Sequence, residues 1–183
     1  MSPVHTQLTP KEQIERLRAL EFATTMRVLR AFPEEQLEMR PAPKSRSARE
    51  LITTLITEEH VCRAALCGEN PYGSIPRSWP TSLEELLSAY DRIHAESQQL
   101  LARAGDPELD ALLDLNGLKV SALEVLWIEL LDQTHHRGQF SVYLRLVDAR
   151  VPSIYGPTAD EIPSNSSLEK NLPVLGSIYL ARR

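Results

Sequence analysis

The chain has 183 residues, of which 42% are apolar and 25% charged, with a formal net charge of −5. That balance belongs to a soluble globular protein and excludes a disordered one, while the acidic surplus argues against duplex nucleic acid or an anionic membrane as main partner. No window approaches the roughly 18 apolar residues of a membrane span, no basic-then-apolar leader opens the chain, and the cytoplasm is the expected location.

Residues 1–183 suffice for one domain with a substantial core. Glycines are few, and long stretches carry Leu, Ala, Glu, Arg and Gln, which favours helices. Ser or Thr followed three residues on by Glu heads an apolar periodic run at Thr9–Glu12, Ser47–Glu50, Thr81–Glu84 and Ser121–Glu124. In such a capping box the hydroxyl accepts from the amide three residues on, and the Glu reaches back to the cap amide. The first helix is predicted over about residues 10–31, opened by Pro10, with Ile14, Leu17, Val28 and Phe32 inward. Residues 34–46, with Pro41 and Pro43, read as a solvated connection.

The second helix, about residues 47–67, turns Leu51, Leu55, Cys62 and Leu66 inward and stops at Gly68, with Thr54 and Glu58 on or beside that stripe. Residues 69–80 are too rich in Pro and Gly for regular structure. The third helix, about residues 81–104, aligns Leu83, Leu86, Leu87, Tyr90, Ile93 and Leu101. Residues 109–115 read as either a short helix or a strand, and Asn116-Gly117 is a turn signal. The fourth helix, about residues 121–148, is the longest and most apolar. Beyond Val151, Pro152, Pro157, Pro163 and Pro173 leave an irregular tail, expected to dock through Ile154, Tyr155, Leu172 and Ile178. Four amphipathic helices around one core make an all-α four-helix bundle.

The polar chemistry concentrates at Asp132-Gln-Thr-His135-His136-Arg137-Gly138-Gln139. Val125, Ile128, Asp132, His136, Gln139, Tyr143 and Val147 follow helical spacing, which puts Asp132 and His136 one turn apart on a mainly apolar stripe. Either the two satisfy each other by a hydrogen bond that specifies packing, or they face a pocket or a divalent metal (zinc, nickel or manganese) completed from the second helix. That helix offers Thr54, Glu58 and His60, the last on a different side.

His135 reads as a packing or interface residue, His94 as solvated between acids and amides, and His5 as mobile. Cys62 and Cys67, five residues apart, point to different sides of one helix and read as two buried thiols. Gly138 in a helix interior costs roughly 1 kcal/mol against Ala, which fits a close approach at a helix crossing or a dimer interface. Phosphate-binding glycine loops, serine nucleophile motifs and paired CxxC motifs are absent.

The runs Thr134-His135-His136-Arg137-Gly138-Gln139, Val142-Tyr143-Leu144-Arg145-Leu146 and Val151-Pro152-Ser153-Ile154-Tyr155-Gly156-Pro157 resemble the DinB family, the DinB/YfiT-like metalloenzymes. Arg40-Pro41-Ala42-Pro43, followed by Ser45 to Leu51, resembles that family's entry into its second helix. The resemblance implies a four-helix bundle in up-down-down-up order, commonly a homodimer. It implies three histidines around a zinc or nickel ion, one from the second helix and two, four residues apart, from the last. Activities include thiol-dependent transferases and hydrolases. His136 matches the second histidine of the last helix, Asp132 stands where the first is expected, and Thr54 stands in place of the second-helix histidine. Glu58, one turn on, can replace it with a shifted ion. The expectation is a degenerate metal site in a small-molecule-binding or dimeric non-catalytic protein. The alternative is a divalent-metal-dependent thiol transferase or hydrolase with a rebuilt Asp/His site.

Overall fold

The structure is a computed structural model and describes residues 7–71, 73, 75–115 and 117–161. Helix α1 spans Pro10–Arg30, α2 Ala48–Leu66, α3 Leu83–Arg103 and α5 Ala122–Leu146; a single helical turn, α4, covers Asp106–Leu109. Thr9, Ser47 and Ser121 cap α1, α2 and α5 through complete capping boxes with Glu12, Glu50 and Glu124. At α3 the cap shifts by one residue: Ser82, not Thr81, accepts from the Glu85 amide. Ser82 and Glu85 carry the same three-residue spacing as Thr81 and Glu84, so the sequence pattern could not choose between them. Helix α2 ends at Gly68, whose φ of +67° suits glycine, with the Glu69 amide closing onto the Ala64 carbonyl at 2.9 Å.

Residues 109–115 resolve into the last residue of α4 followed by a strand. Strands β1 (Leu112–Leu115) and β2 (Leu118–Ser121) pair antiparallel in the register Leu115 to Leu118, and Gly117 takes φ +91° in the connection. A φ of this sign is costly for residues with a side chain. The hairpin lays Leu113 and Val120 on Val61, Ala65, Ala122 and Val125, closing one end of the bundle.

Contacts between named ends give the helix directions. Lys11 reaches the Ala102 and Ala104 carbonyls, while Glu34, beyond α1, meets the Leu83 amide, so α1 and α3 run antiparallel. Ile14 packs with Leu126 and Leu130, and Phe32 meets Phe140, so α1 and α5 run parallel. Tyr143 reaches back to Arg46 at the start of α2, whereas Val61 and Ala65 meet Val125, which makes α2 and α5 antiparallel. The order is up-down-down-up, with α1 and α2 each lying between α3 and α5. One apolar cluster centres on Leu29, Leu51, Leu55, Tyr90 and Phe140, and a second on Ile14, Cys62, Leu101, Leu126 and Leu130.

Four expectations change. Of the expected α5 stripe, Val125, His136 and Tyr143 are buried but Ile128, Asp132 and Gln139 are exposed, and burial extends instead to Leu126, Leu130, Gln133, Arg137, Phe140 and Leu144. Helix α5 is apolar around most of its circumference, so its period does not name one inward face. Cys62 is buried but Cys67, at the α2 cap, is exposed. His94 is buried, because it continues the inward line Tyr90, His94, Ser97, Leu101 of α3. Gly138 is exposed, and a Cβ there would meet nothing within 4 Å, so it marks no crossing among the described residues. His5, Leu172 and Ile178 lie outside the described residues.

Candidate metal centre

Glu58 on α2 and His136 on α5 face each other because those helices pack antiparallel. Both are buried, and His136 Nδ1 lies 2.6 Å from Glu58 Oε1. Asp132, one turn before His136, puts Oδ1 3.7 Å from the same nitrogen but keeps a half-exposed side chain. One ligand atom from each of Glu58, Asp132 and His136 falls within 4.8 Å of the others. Thr54 lies one turn before Glu58 and spends its hydroxyl proton on the Glu50 carbonyl at 2.9 Å. His60 turns away toward Trp79.

The electrostatics of the pair follow from its burial. Loss of water pushes the Glu58 carboxyl up to about 7, against the pull of His136, and Asp132 and Glu59 raise it further. His136 is shifted upward by its hydrogen bond to Glu58. Glu129, half-buried on α5, is pushed up to about 8 by burial and by the negative charge of Glu58 and Asp132. Glu58 Oε2 has no hydrogen-bond partner among the described residues although it is buried. A buried carboxylate oxygen without a donor costs free energy, on the order of 1–3 kcal/mol or more for a charged group.

His136 Nε2 looks the other way, into an open cleft of about 570 Å³ lined by Pro41, Ser45, Arg46, Gln139, Val142 and Tyr143. Arg46 Nη1 stands 3.0 Å from Nε2. A guanidinium has only donors, so Nε2 accepts and the imidazole proton sits on Nδ1, where it donates to Glu58. Tyr143 donates to the Arg46 carbonyl at 2.8 Å, fixing the backbone at the cleft mouth.

Two further polar networks lie deeper. Glu59, fully buried on the other side of α2, accepts from Arg18 at 2.7 Å, Ser97 at 2.7 Å and Gln133 at 3.1 Å, with His94 Nδ1 at 3.0 Å. Burial alone would raise Glu59, but Arg18 and His94 more than offset it and hold the carboxyl at about 2. Phe22 stacks on His94 with centroids 3.7 Å apart. Arg137 pairs with Glu21, and the Tyr155 hydroxyl contacts both while the guanidinium lies 5.0 Å from the Tyr155 ring centre. This ties residues 151–161 to the bundle. Reading the sequence residue by residue missed Arg18, Glu59, Gln133 and the pairing of Arg137. The available signal was ionisable residues in register with an apolar stripe, as at Ile14 and Arg18.

The helix order and the carboxylate–imidazole cluster between α2 and α5 define a four-helix bundle with a candidate metal centre at the edge of a cleft. Residues 16–140 match the model of the DinB superfamily, and the chain belongs to that superfamily. Two Bacillus subtilis (strain 168) proteins are similar in sequence. YrdA is 31% identical over 83 residues, 45% of this chain and 50% of YrdA, so the chain spans about half of that relative. YjoA is 28% identical over 115 residues, 61% of this chain and 74% of YjoA. In structure the chain resembles the DinB-like protein YjoA, with a TM-score of 0.66 and 21% identity, covering 78% of this chain and 96% of that one. A DinB-like protein from Bacillus cereus ATCC 10987 superposes with a TM-score of 0.67 and 21% identity over 79% and 97% of the two chains. At these identities the structures establish the shared helical bundle.

Proposed function

We propose that the chain binds one divalent transition metal ion between Glu58, Asp132 and His136 and uses it on a small molecule held in the adjoining cleft. The observation that carries this reading is Glu58: a carboxylate 4% exposed, one oxygen on His136 and the other without a partner among the described residues. Two carboxylates and an imidazole suit zinc, manganese or nickel. Ligand atoms around a tetrahedral ion with bonds of about 2.1 Å stand roughly 3.4 Å apart. Asp132 and His136, at 3.7 Å, are near that spacing, and Glu58 must retreat by under about 1 Å from its 2.6 Å hydrogen bond. With all three ligand atoms within 4.8 Å of one another, the donor set can close on an ion by side-chain shifts.

When bound, the ion would lower the pKa of water or of a thiol and polarise an electrophile, which suits the transferase or hydrolase that the family resemblance implies. Glu58 and Asp132 bring the negative charge that offsets the ion, and Tyr143 and Gln139 shape the cleft in which the small molecule would lie. The test is metal analysis of the full chain purified without a nickel column. About one equivalent is expected, lost in His136→Ala and in Glu58→Gln. A wild-type protein that folds but takes up no zinc, manganese or nickel refutes the reading. A second reading, a metal-free cleft that binds a small molecule, is favoured by the closed chain Glu58–His136–Arg46, and the same measurement separates the two.

The exposed apolar line Ile128, Leu131, Val142 and Leu146 on α5, with His135 and Gly138 between them, supports a homodimer in which α5 meets its symmetry mate. Gly138 in open space would let the partner backbone approach. Leu131→Glu with Val142→Glu is expected to leave a monomer in sedimentation analysis, and an unchanged oligomer would refute this surface. Two free thiols support a reducing compartment, the cytoplasm. Among the described residues no helix is long and apolar enough to cross a membrane.

A further inference from the structure

Arg46 is the cationic side chain of the cleft, and its position is held although its charge is not matched. The two acids nearest in sequence are already engaged: Glu50 takes both Arg40 nitrogens at 2.7 Å, and Glu38 takes Arg49 at 2.5 Å. Arg46 forms no ion pair among the described residues; its guanidinium contact is the 3.0 Å approach to His136 Nε2. Its backbone is pinned on both sides, by the Tyr143 hydroxyl on its carbonyl and by Ser47, the buried cap of α2, immediately after it. The result is an exposed guanidinium with most of its donors open, standing over a cleft that also offers the apolar surfaces of Pro41 and Val142.

We infer that Arg46 is the anchor for a carboxylate on a small, partly apolar ligand of this cleft. A guanidinium presents parallel N–H groups that match the two oxygens of a carboxylate. Glu58 and Asp132 cluster with His136 behind the cleft wall, and their acidic groups favour a singly charged planar carboxylate over a doubly charged phosphate. Pro41 and Val142 accommodate the apolar body. Tyr143 holds the backbone of Arg46 and is a positioning residue.

The same geometry makes Arg46 a cation with two positions. While it donates to His136 Nε2, the imidazole proton is confined to Nδ1, facing Glu58. A ligand carboxylate draws the guanidinium away and releases Nε2. The carboxylate anchor shares its cleft with the proposed metal site but needs no metal of its own.

The experiment is calorimetric titration of the full chain, first stripped with a chelator and then with zinc, using benzoate as probe. Benzyl alcohol serves as the neutral analogue and phenyl phosphate as the dianion. Saturable benzoate binding is expected in stripped protein, about ten- to a hundredfold weaker in Arg46→Gln and partly restored in Arg46→Lys. Benzyl alcohol should not bind, and the His136 ring nitrogens should shift in NMR spectra as benzoate is added. Benzoate binding unaffected by Arg46→Gln, or absent from folded wild-type protein, overturns the inference, and tighter binding of phenyl phosphate overturns the choice of carboxylate. Failure to load zinc removes only the metal reading, because the benzoate titration of stripped protein stands by itself.

Discussion

Replacing Glu59 by Gln tests how the centre of the bundle is held together. Glu59 is fully buried and gathers Arg18, Ser97 and Gln133 as donors, with His94 Nδ1 at 3.0 Å. Gln keeps the shape but removes the charge and one acceptor, leaving the Arg18 guanidinium, itself 2% exposed, without a counter-ion. Removing one partner of a buried pair costs about 3–5 kcal/mol. For a chain of this size each kcal/mol moves Tm by about 2–4 °C, so a fall of roughly 6–20 °C is expected in a calorimetric scan. The pH dependence carries a second signature. Glu59 is held at about 2, below its ordinary 4.5; its contribution is present above about 4.5 and disappears as pH falls toward 2. The Glu59→Gln protein should therefore lose less Tm than wild type between pH 5 and 3. The paired change Arg18→Met with Glu59→Gln should recover part of the loss, since the guanidinium that needed a counter-ion is gone while the carbonyl of the introduced Gln still accepts from Ser97 and Gln133. A Tm within about 3 °C of wild type in Glu59→Gln, with the acid limb unchanged, would refute this account of the core.

Glu58→Gln should behave in the opposite way, because the carboxyl it replaces is costly to ionise: metal-free variant protein should match or exceed the wild-type Tm above pH 7 while losing metal uptake. Glu58 and Glu129 are raised to about 7 and about 8 from 4.5, so their contribution is fully present below about 4.5 and lost as pH climbs through those values. Chelator-treated protein should lose Tm progressively from pH 5 to 9, with the upper part of the decline removed in Glu129→Gln; a flat profile would contradict the burial of both carboxyls. Tyr155→Phe removes the hydroxyl shared by Arg137 and Glu21 and should lower urea stability by about 1–2 kcal/mol. A change in Tyr155→Phe of less than a few tenths would mean that residues 151–161 are not anchored there.

Much of the bundle can be read from local chemistry. Thr9, Ser47 and Ser121 announce their helices because a cap bonds residues three apart in the chain, and Gly68 and Gly117 mark places where a side chain would strain the backbone. The same locality explains the one-residue slip at Ser82, where two hydroxyls each precede a Glu at the right distance.

The sequence alone determined the four long helices and the neighbourhood of His136, since those follow from spacing along one segment. Tertiary structure decided which polar residues meet. His94 looks solvated one helix at a time, and only the packing of α1, α2 and α3 gives it and Arg18 their shared partner Glu59. Helix α5 is apolar on several sides, so its rotation is set by burying Leu130, Arg137, Phe140 and Leu144 between α1 and α2, and that rotation leaves Asp132 half-exposed. Glu58 becomes the partner of His136 for the same reason: residues 78 positions apart meet because two antiparallel helices bury their apolar faces together.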